Sequence, residues 1–207
     1  VGVGTGSTAN HFIDHLAKIK HQFDGAVASS EATAERLKSH GIPVYELGAI
    51  DEMEFYIDGA DETNERLELI KGGGGALLRE KIVATASKKM IVITDESKKV
   101  DTLGAFPLPI EVIPFGSRVT ALAIQEVATA HGCTGELKRR EDEFGEPFLT
   151  DSENFIYDGY YEKLPDADGL AAALNLIPGV VDNGLFIDIA TVVIVGTPEG
   201  PYLVEKS

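Results

Sequence analysis

Short apolar runs at residues 25–28, 44–47, 54–57 and 90–94 alternate with helical stretches near 31–39 and 76–86, and this alternation constrains the fold more than any other feature. Strands and helices that alternate at such spacing build βαβ units and a mostly parallel sheet. Residues 7–19 carry Phe12, Ile13, Leu16 and Ile19 as a helical stripe, which predicts a helix directly after Val1-Gly2-Val3-Gly4. Those first four residues read as the end of a buried strand already entering its turn, so an upstream segment is expected.

After Gly104 the pattern changes. Phe106-Pro107-Leu108-Pro109 and Ile113-Pro114 punctuate the chain as a linker or crossover would. One amphipathic helix is predicted over 117–130, strand-like pieces around 136–139, 147–149 and 154–157, and another helix near 168–176. This set predicts a small α+β domain, and the apolar run 191–196 is expected to rejoin the main sheet.

Acidic residues outnumber basic ones 34 to 18, a net charge of −16. Such a surface repels nucleic acid, whose binding needs Lys and Arg against phosphates. Any phosphate site must therefore be built locally from backbone N–H groups and a few lysines. The longest apolar runs fall far short of the roughly 20 residues that cross a bilayer, and no signal-peptide pattern is present. Cys133 is the sole cysteine, which permits no internal disulfide and suggests no zinc site. A cytoplasmic protein that binds neither membrane nor nucleic acid is expected.

Gly4-Thr5-Gly6-Ser7-Thr8 joins a strand to a helix. Ser7 or Thr8 is expected to cap that helix, and its free N–H groups with the positive dipole end form an anion cradle. The same loop, as Gly4-x-Gly6-x-x-Ala9 with Glu31 beyond it, also fits a loose dinucleotide fingerprint. Taken alone, the loop leaves a phosphate monoester, a dinucleotide and a plain turn all open.

Two further segments carry chemistry. The strand-like Phe55-Tyr56-Ile57 ends in Asp58-Gly59-Ala60-Asp61-Glu62, and ligands bind at the carboxyl ends of strands in parallel sheets. Paired carboxylates there can bind sugar hydroxyls or move protons among them, whereas the plainer reading is a turn with capping acids. Lys71-Gly72-Gly73-Gly74-Gly75 costs backbone entropy that a merely structural turn rarely requires. It suits a turn that brings amides and the Lys71 charge, expected at the mouth of the site, against a developing oxyanion.

Glu80 follows on the helix, with Ala76, Val83 and Ala84 as helical neighbours. Burial on that small apolar face would raise its pKa toward the working pH and improve it as a general base. A surface glutamate paired with a lysine is the commoner arrangement, and the place behind the glycine run favours the base. Lys98, in Asp95-Glu96-Ser97-Lys98-Lys99 after the run 90–94, is a further candidate at a strand's carboxyl end. His11 and His15 stand four apart but lack a third ligand, so no metal is expected. No Gly-x-Ser-x-Gly elbow is present.

These blocks, with Phe106-Pro107-Leu108-Pro109-Ile110-Glu111-Val112-Ile113-Pro114, Ile177-Pro178-Gly179-Val180-Val181 and Gly196-Thr197-Pro198, resemble type A ribose-5-phosphate isomerases in their order along almost the whole chain. The resemblance implies interconversion of ribose 5-phosphate and ribulose 5-phosphate without metal or organic cofactor. It implies that Thr5, Gly6, Ser7, Thr8, Asp58, Gly59, Ala60, Asp61, Lys71, Gly72, Gly73, Gly74 and Lys98 serve the substrate site, with Glu80 as proton acceptor. The implied fold is α/β, a Rossmann-like mostly parallel sheet with an inserted smaller α+β domain, in a homodimer or homotetramer. On this basis the catalytic domain is expected at 1–105 plus 193–207 and the small domain at 106–192. The family also has an N-terminal helix ahead of the position of Val1, and the stretch 136–163 matches it less well. Two other classes remain to weigh: a noncatalytic sugar-phosphate sensor, which needs an appended basic DNA-binding region, and an NAD-dependent oxidoreductase using the first loop.

Overall fold

A computed structural model describes residues 1–205. In chain order the strands are β1 (Gly2–Val3), β2 (Val27–Ala28), β3 (Met53–Asp58), β4 (Glu62–Thr63), β5 (Leu69–Ile70), β6 (Ser87–Asp95) and β7 (Leu108–Val112). Then come β8 (Glu136–Arg139), β9 (Phe155–Tyr160), β10 (Val180–Asn183), β11 (Leu185–Phe186), β12 (Ala190–Gly196) and β13 (Tyr202–Glu205). The α-helices are α1 (Ser7–Leu16), α2 (Glu31–Ser39), α3 (Leu77–Ala86), α4 (Ser117–Ala130) and α5 (Ala167–Leu174).

The chain groups into two compact units, the first formed by residues 1–60, 79–98 and 188–207 and the second by 61–78 and 99–187. In the first, six strands make one sheet in the order β13-β12-β6-β3-β1-β2. All its pairings are parallel except β12 with β13. The expected parallel α/β class holds, and the apolar run 191–196 does return to this sheet as β12, beside β6. Val3, Ile13, Leu16, Ala26, Leu37 and Ile42 form a core around α1 and α2. Burying each large aliphatic side chain there contributes roughly 1.5–3 kcal/mol.

The second unit holds an antiparallel sheet, β10-β7-β9-β8, and a three-stranded one, β11-β5-β4. Helix α4 spans the predicted residues and buries Thr120, Ile124 and Ala128, one stripe at successive turns. Residues 61–78 group here rather than with the parallel sheet because β4 and β5 pair antiparallel with each other and with β11. The division therefore differs from the one expected at residue 105.

Four local expectations need correction. Residues 147–149, expected to be strand-like, make only isolated bridges, Pro147 to Glu141 and Leu149 to Phe155. The first helix ends at Leu16 and tightens into a 3₁₀ segment over Ala17–Gln22, where Ile19 has non-helical dihedrals and is exposed instead of joining the stripe. Residues 44–47 form no strand, since Val44 makes only a single bridge to Ala26 before a 3₁₀ turn at Leu47–Ala49. Residues 108–112 are a fully buried strand between β10 and β9, where a linker or crossover was expected. Pro109 is tolerated because the β10 ladder ends at Ile110, so the absent N–H breaks no rung there.

Tyr161 illustrates packing without polar reward. Its ring occupies the space that any side chain on Gly159 would fill, and its hydroxyl is buried with no hydrogen-bond partner among the described residues. Removing a buried, unsatisfied hydroxyl relieves a desolvation cost. Tyr161→Phe is expected to leave stability unchanged or raise it by up to about 1 kcal/mol, read from urea unfolding, where a typical buried tyrosine hydroxyl would cost about that much to delete.

Candidate active site

The first unit presents one cluster, centred on a buried carboxylate. Asp58 ends β3 with no exposed surface. Its Oδ1 accepts from the backbone N–H groups of Gly59 at 2.7 Å and Thr5 at 3.2 Å, and its Oδ2 accepts from the Tyr56 hydroxyl at 2.5 Å. Gly4 has no room for a side chain, since a Cβ there would overlap the Asp58 carboxyl group. Asp58 thus ties the end of β3 to the loop that follows β1.

That loop holds its helix differently from expectation. The N-cap of α1 is Gly6, with φ of 113°, and no side chain caps it. Ser7 is already the first helical residue, and it and Thr8 are exposed. Their hydroxyls and the first amides of the helix stay available to an anion. The Thr5 hydroxyl instead faces a cluster, 2.9 Å from Ser29 Oγ, 2.9 Å from Ser30 Oγ and 3.3 Å from Thr33 Oγ1. Ser30 caps α2 through the Thr33 N–H, and Thr33 Oγ1 donates to the Gly4 carbonyl at 2.9 Å. Two successive strand ends are thereby joined by hydroxyl groups.

Glu80 is only 3% exposed and shares the buried face of α3 with Val83 and Ala84. The surface-glutamate reading is therefore excluded. Its neighbour Arg79 turns the other way, to a 2.8 Å ion pair with Glu31. Glu31, the acid that a dinucleotide ribose would need, is thus engaged with an arginine. Tyr56 lies within the field of both acids: burial first, then the charges of Asp58 and Glu80, hold its phenol well above the usual range. It remains an O–H donor throughout the working pH range. Lys98 closes a 3₁₀ turn after β6 and is half-buried, close enough to Asp95 to lower that acid's pKa together with the larger effect of its bonds from Ser97.

The second unit presents the glycine run. Lys71 is not at an open mouth but is 3% exposed, because its N–H bonds to the Gly184 carbonyl at 2.9 Å and its Nζ stands 5.5 Å from the centre of the Phe186 ring. Gly73 donates its N–H to Asp61 Oδ2 at 2.8 Å. A Cβ on Gly73 would press on Asp61 and Phe106, and one on Gly75, where φ is 83°, would come within 2.5 Å of the Phe148 ring. Arg140 closes the arrangement with Nε and Nη2 on the two oxygens of Asp158, at 2.8 and 2.6 Å. Its Nη1 meets the carbonyls of Gly72 and Gly73 at 3.1 and 3.0 Å. Glu62, buried, accepts from the amides of Gly104 and Phe106 and so fixes the turn whose Phe106 ring lies against Gly73.

Known proteins carry the same order of parts. A family model described as ribose 5-phosphate isomerase A (phosphoriboisomerase A) matches residues 25–200. The chain belongs to the ribose 5-phosphate isomerase A family. It is 62% identical to ribose-5-phosphate isomerase A of Parvibaculum lavamentivorans over 99% of this chain and 90% of that one. The corresponding protein of Sinorhizobium medicae is 51% identical over 100% and 90%. Among solved structures, ribose 5-phosphate isomerase from Plasmodium falciparum superposes with a TM-score of 0.91 at 33% identity, covering 100% of this chain and 90% of that one.

Within this family member, the sequence singled out both carboxylates, both glycine loops and Glu80, but not Tyr56, Ser29, Ser30, Thr33, Glu62, Arg140 or Asp158. Ser29-Ser30-x-x-Thr33 at a strand end was a readable capping signal. Arg140 sits in the charged run Lys138-Arg139-Arg140-Glu141-Asp142, which reads as a solvated edge.

The Tyr56 geometry sets an alkaline limit. Below pH of about 10 the folded and unfolded chains both keep this proton; above it only the unfolded chain releases it readily, so stability falls as pH rises. Each such group steepens the fall by up to about 1.4 kcal/mol per pH unit. Tyr56→Phe is expected to cost about 1–3 kcal/mol near neutrality, since Asp58 loses a donor, yet to flatten the decline above pH of about 10. Urea midpoints measured across that range, together with tyrosinate absorbance, test both.

Proposed function

We propose that this chain interconverts ribose 5-phosphate and ribulose 5-phosphate by proton transfer through an enediolate. The observation that carries the reading is its nearly full-length likeness to ribose-5-phosphate isomerases. Glu80 is assigned the base that takes the C2 proton of the open aldose and returns it to C1. Its burial supports this, because a carboxylate with few waters around it is a stronger base. Lys71 and the amides of Gly72, Gly73 and Gly74 are assigned to the oxygen that becomes negative. Asp61 binds sugar hydroxyls and moves protons between O1 and O2. Asp58 takes part with it, presenting Gly59 and Ala60 and holding the first loop.

Thr5, Gly6, Ser7 and Thr8 are assigned to the phosphate, with Lys98 adding charge. The uncapped start of α1 supports this assignment. Anchoring the phosphate orients the reacting carbons, which lowers the entropic part of the barrier. The oxidoreductase alternative is disfavoured by the engagement of Glu31 with Arg79. The reaction is proposed to need neither metal nor organic cofactor, so turnover is expected to persist in excess chelator.

We also read the protein as cytoplasmic, homodimeric or homotetrameric, and without nucleic-acid or membrane partners. The net charge of −16 and the single cysteine support the first and third points. Among the described residues no helix is long and apolar enough to cross a membrane. Oligomerisation is supported by Phe115, Val119 and Leu122, exposed at 89, 72 and 61% on and just before one side of α4. Sedimentation of the native protein should show more than one chain, and Val119→Glu should shift the distribution toward the monomer.

Glu80→Gln is nearly isosteric, so substrate should still bind. kcat for ribose 5-phosphate is expected to fall by at least about two orders of magnitude while KM changes little. A variant with near-normal turnover would remove Glu80 from the role of base.

A further inference from the structure

All three guanidinium nitrogens of Arg140 bond protein groups around the glycine run. Nε and Nη2 lie on the Asp158 carboxylate as a two-pronged fork, and Nη1 is shared between two consecutive carbonyl oxygens, those of Gly72 and Gly73. Its plane also stacks 5.6 Å from the centre of the Phe148 ring, the ring that fills the space beside Gly75. Both charged side chains are largely buried, at 16 and 11% exposure. A buried pair of this kind is expensive unless its hydrogen bonds are satisfied, and here the glycine carbonyls take the Nη1 donors.

The consequence lies in the peptide planes. In a trans peptide the C=O of one residue and the N–H of the next point in opposite directions. The carbonyls of Gly72 and Gly73 point to Arg140, so the amides of Gly73 and Gly74 point away from it. The Gly73 amide does so visibly, since it meets Asp61 Oδ2 at 2.8 Å. With the Gly73 amide taken by Asp61, the Gly74 amide on the same side is the donor placed to meet an anionic oxygen. The Gly72 carbonyl also accepts from the Gly75 N–H at 2.9 Å within the turn, and Arg140 adds a charged partner to it and to the Gly73 carbonyl.

We propose that Arg140, oriented by Asp158, is a positioning residue for the isomerisation: it holds the Gly72 and Gly73 carbonyls back so that, with the Gly73 amide held by Asp61, the Gly74 amide faces the oxygen that becomes negative. This rests on the isomerase reading above. Arg140 itself touches no substrate. Lysine cannot replace it, since one ammonium cannot form the fork on Asp158 and reach two carbonyls together.

The test compares Arg140→Ala, Arg140→Lys and Asp158→Asn with the parent protein. For both Arg140 variants kcat is expected to drop by about 10- to 100-fold with KM nearly unchanged, because an oxyanion donor acts mainly in the transition state. Asp158→Asn is expected to give a smaller loss of the same kind. Millimolar guanidinium should restore part of the kcat of Arg140→Ala but none in Arg140→Lys, a rescue that a purely structural role would not produce. Independently of turnover, the Gly73 and Gly74 amide signals in nitrogen-15 spectra should shift in Arg140→Ala while signals from the parallel sheet stay in place. Unmoved glycine amides, or a parental kcat in Arg140→Ala, would overturn the inference even if the parent protein is an efficient isomerase. A parent without isomerase activity would instead overturn the functional reading, and the amide shifts would still decide whether Arg140 sets the loop.

Discussion

Asp58 carries a carboxyl group to a place with no solvent, and everything around it is arranged to supply the hydrogen bonds that water would have given. Two backbone amides, from Thr5 and Gly59, and the Tyr56 hydroxyl converge on its oxygens. An ionised group in such a place is costly unless it is bonded on every side. The constraint passes outward: Gly4 must be glycine, the first loop must bend where it does, and Tyr56 must keep its proton. The phosphate-binding loop assigned here is therefore shaped from behind, by a buried carboxylate.

The second unit reaches a comparable end by other means. Its glycine run has almost no side chains with which to define a conformation, so definition comes from neighbours. Asp61 holds one amide, Phe106 and Phe148 pack against the turn, and Arg140 takes two carbonyls. Flexible backbone becomes ordered because each rotation it could make would break a charge-assisted hydrogen bond or meet an aromatic ring. With 34 acidic residues against 18 basic ones, each cation near a site for an anionic sugar has a disproportionate effect. Lys71 and Arg140 are both shielded from water, where their fields are least screened.

Much of this was legible in the residues themselves. The period of the apolar runs announced the parallel sheet, and α2 and α4 fell on the residues predicted, because a helical pattern is a local signal. The acids and the glycine run were visible because both are unusual where they stand. What escaped was nonlocal. The strand at 108–112 was hidden by its prolines, which break a helix anywhere but harm a strand only where a rung is needed. Arg140 and Asp158 lie eighteen residues apart in a stretch of ordinary charge, and nothing short of the antiparallel register of β8 and β9 brings them together. Tyr56 looked like one more apolar strand residue, since its hydroxyl has meaning only beside Asp58 and Glu80.

The order of strands in the parallel sheet also bears on how the protein is made. β6 lies between β3 and β12, and β12 begins only at residue 190, long after β6 ends at residue 95. On a ribosome, the apolar edge of β6 must therefore wait, unpaired, while residues 99–187, the larger part of the second unit, are synthesised. That edge offers a row of unmet backbone groups flanked by Met90, Val92 and other hydrophobic side chains. Neither compact unit is an unbroken stretch of chain, so neither can be completed early and set aside. The nascent protein has a window of exposure built into its topology, and shielding by a chaperone would matter most between the emergence of β6 and that of β12.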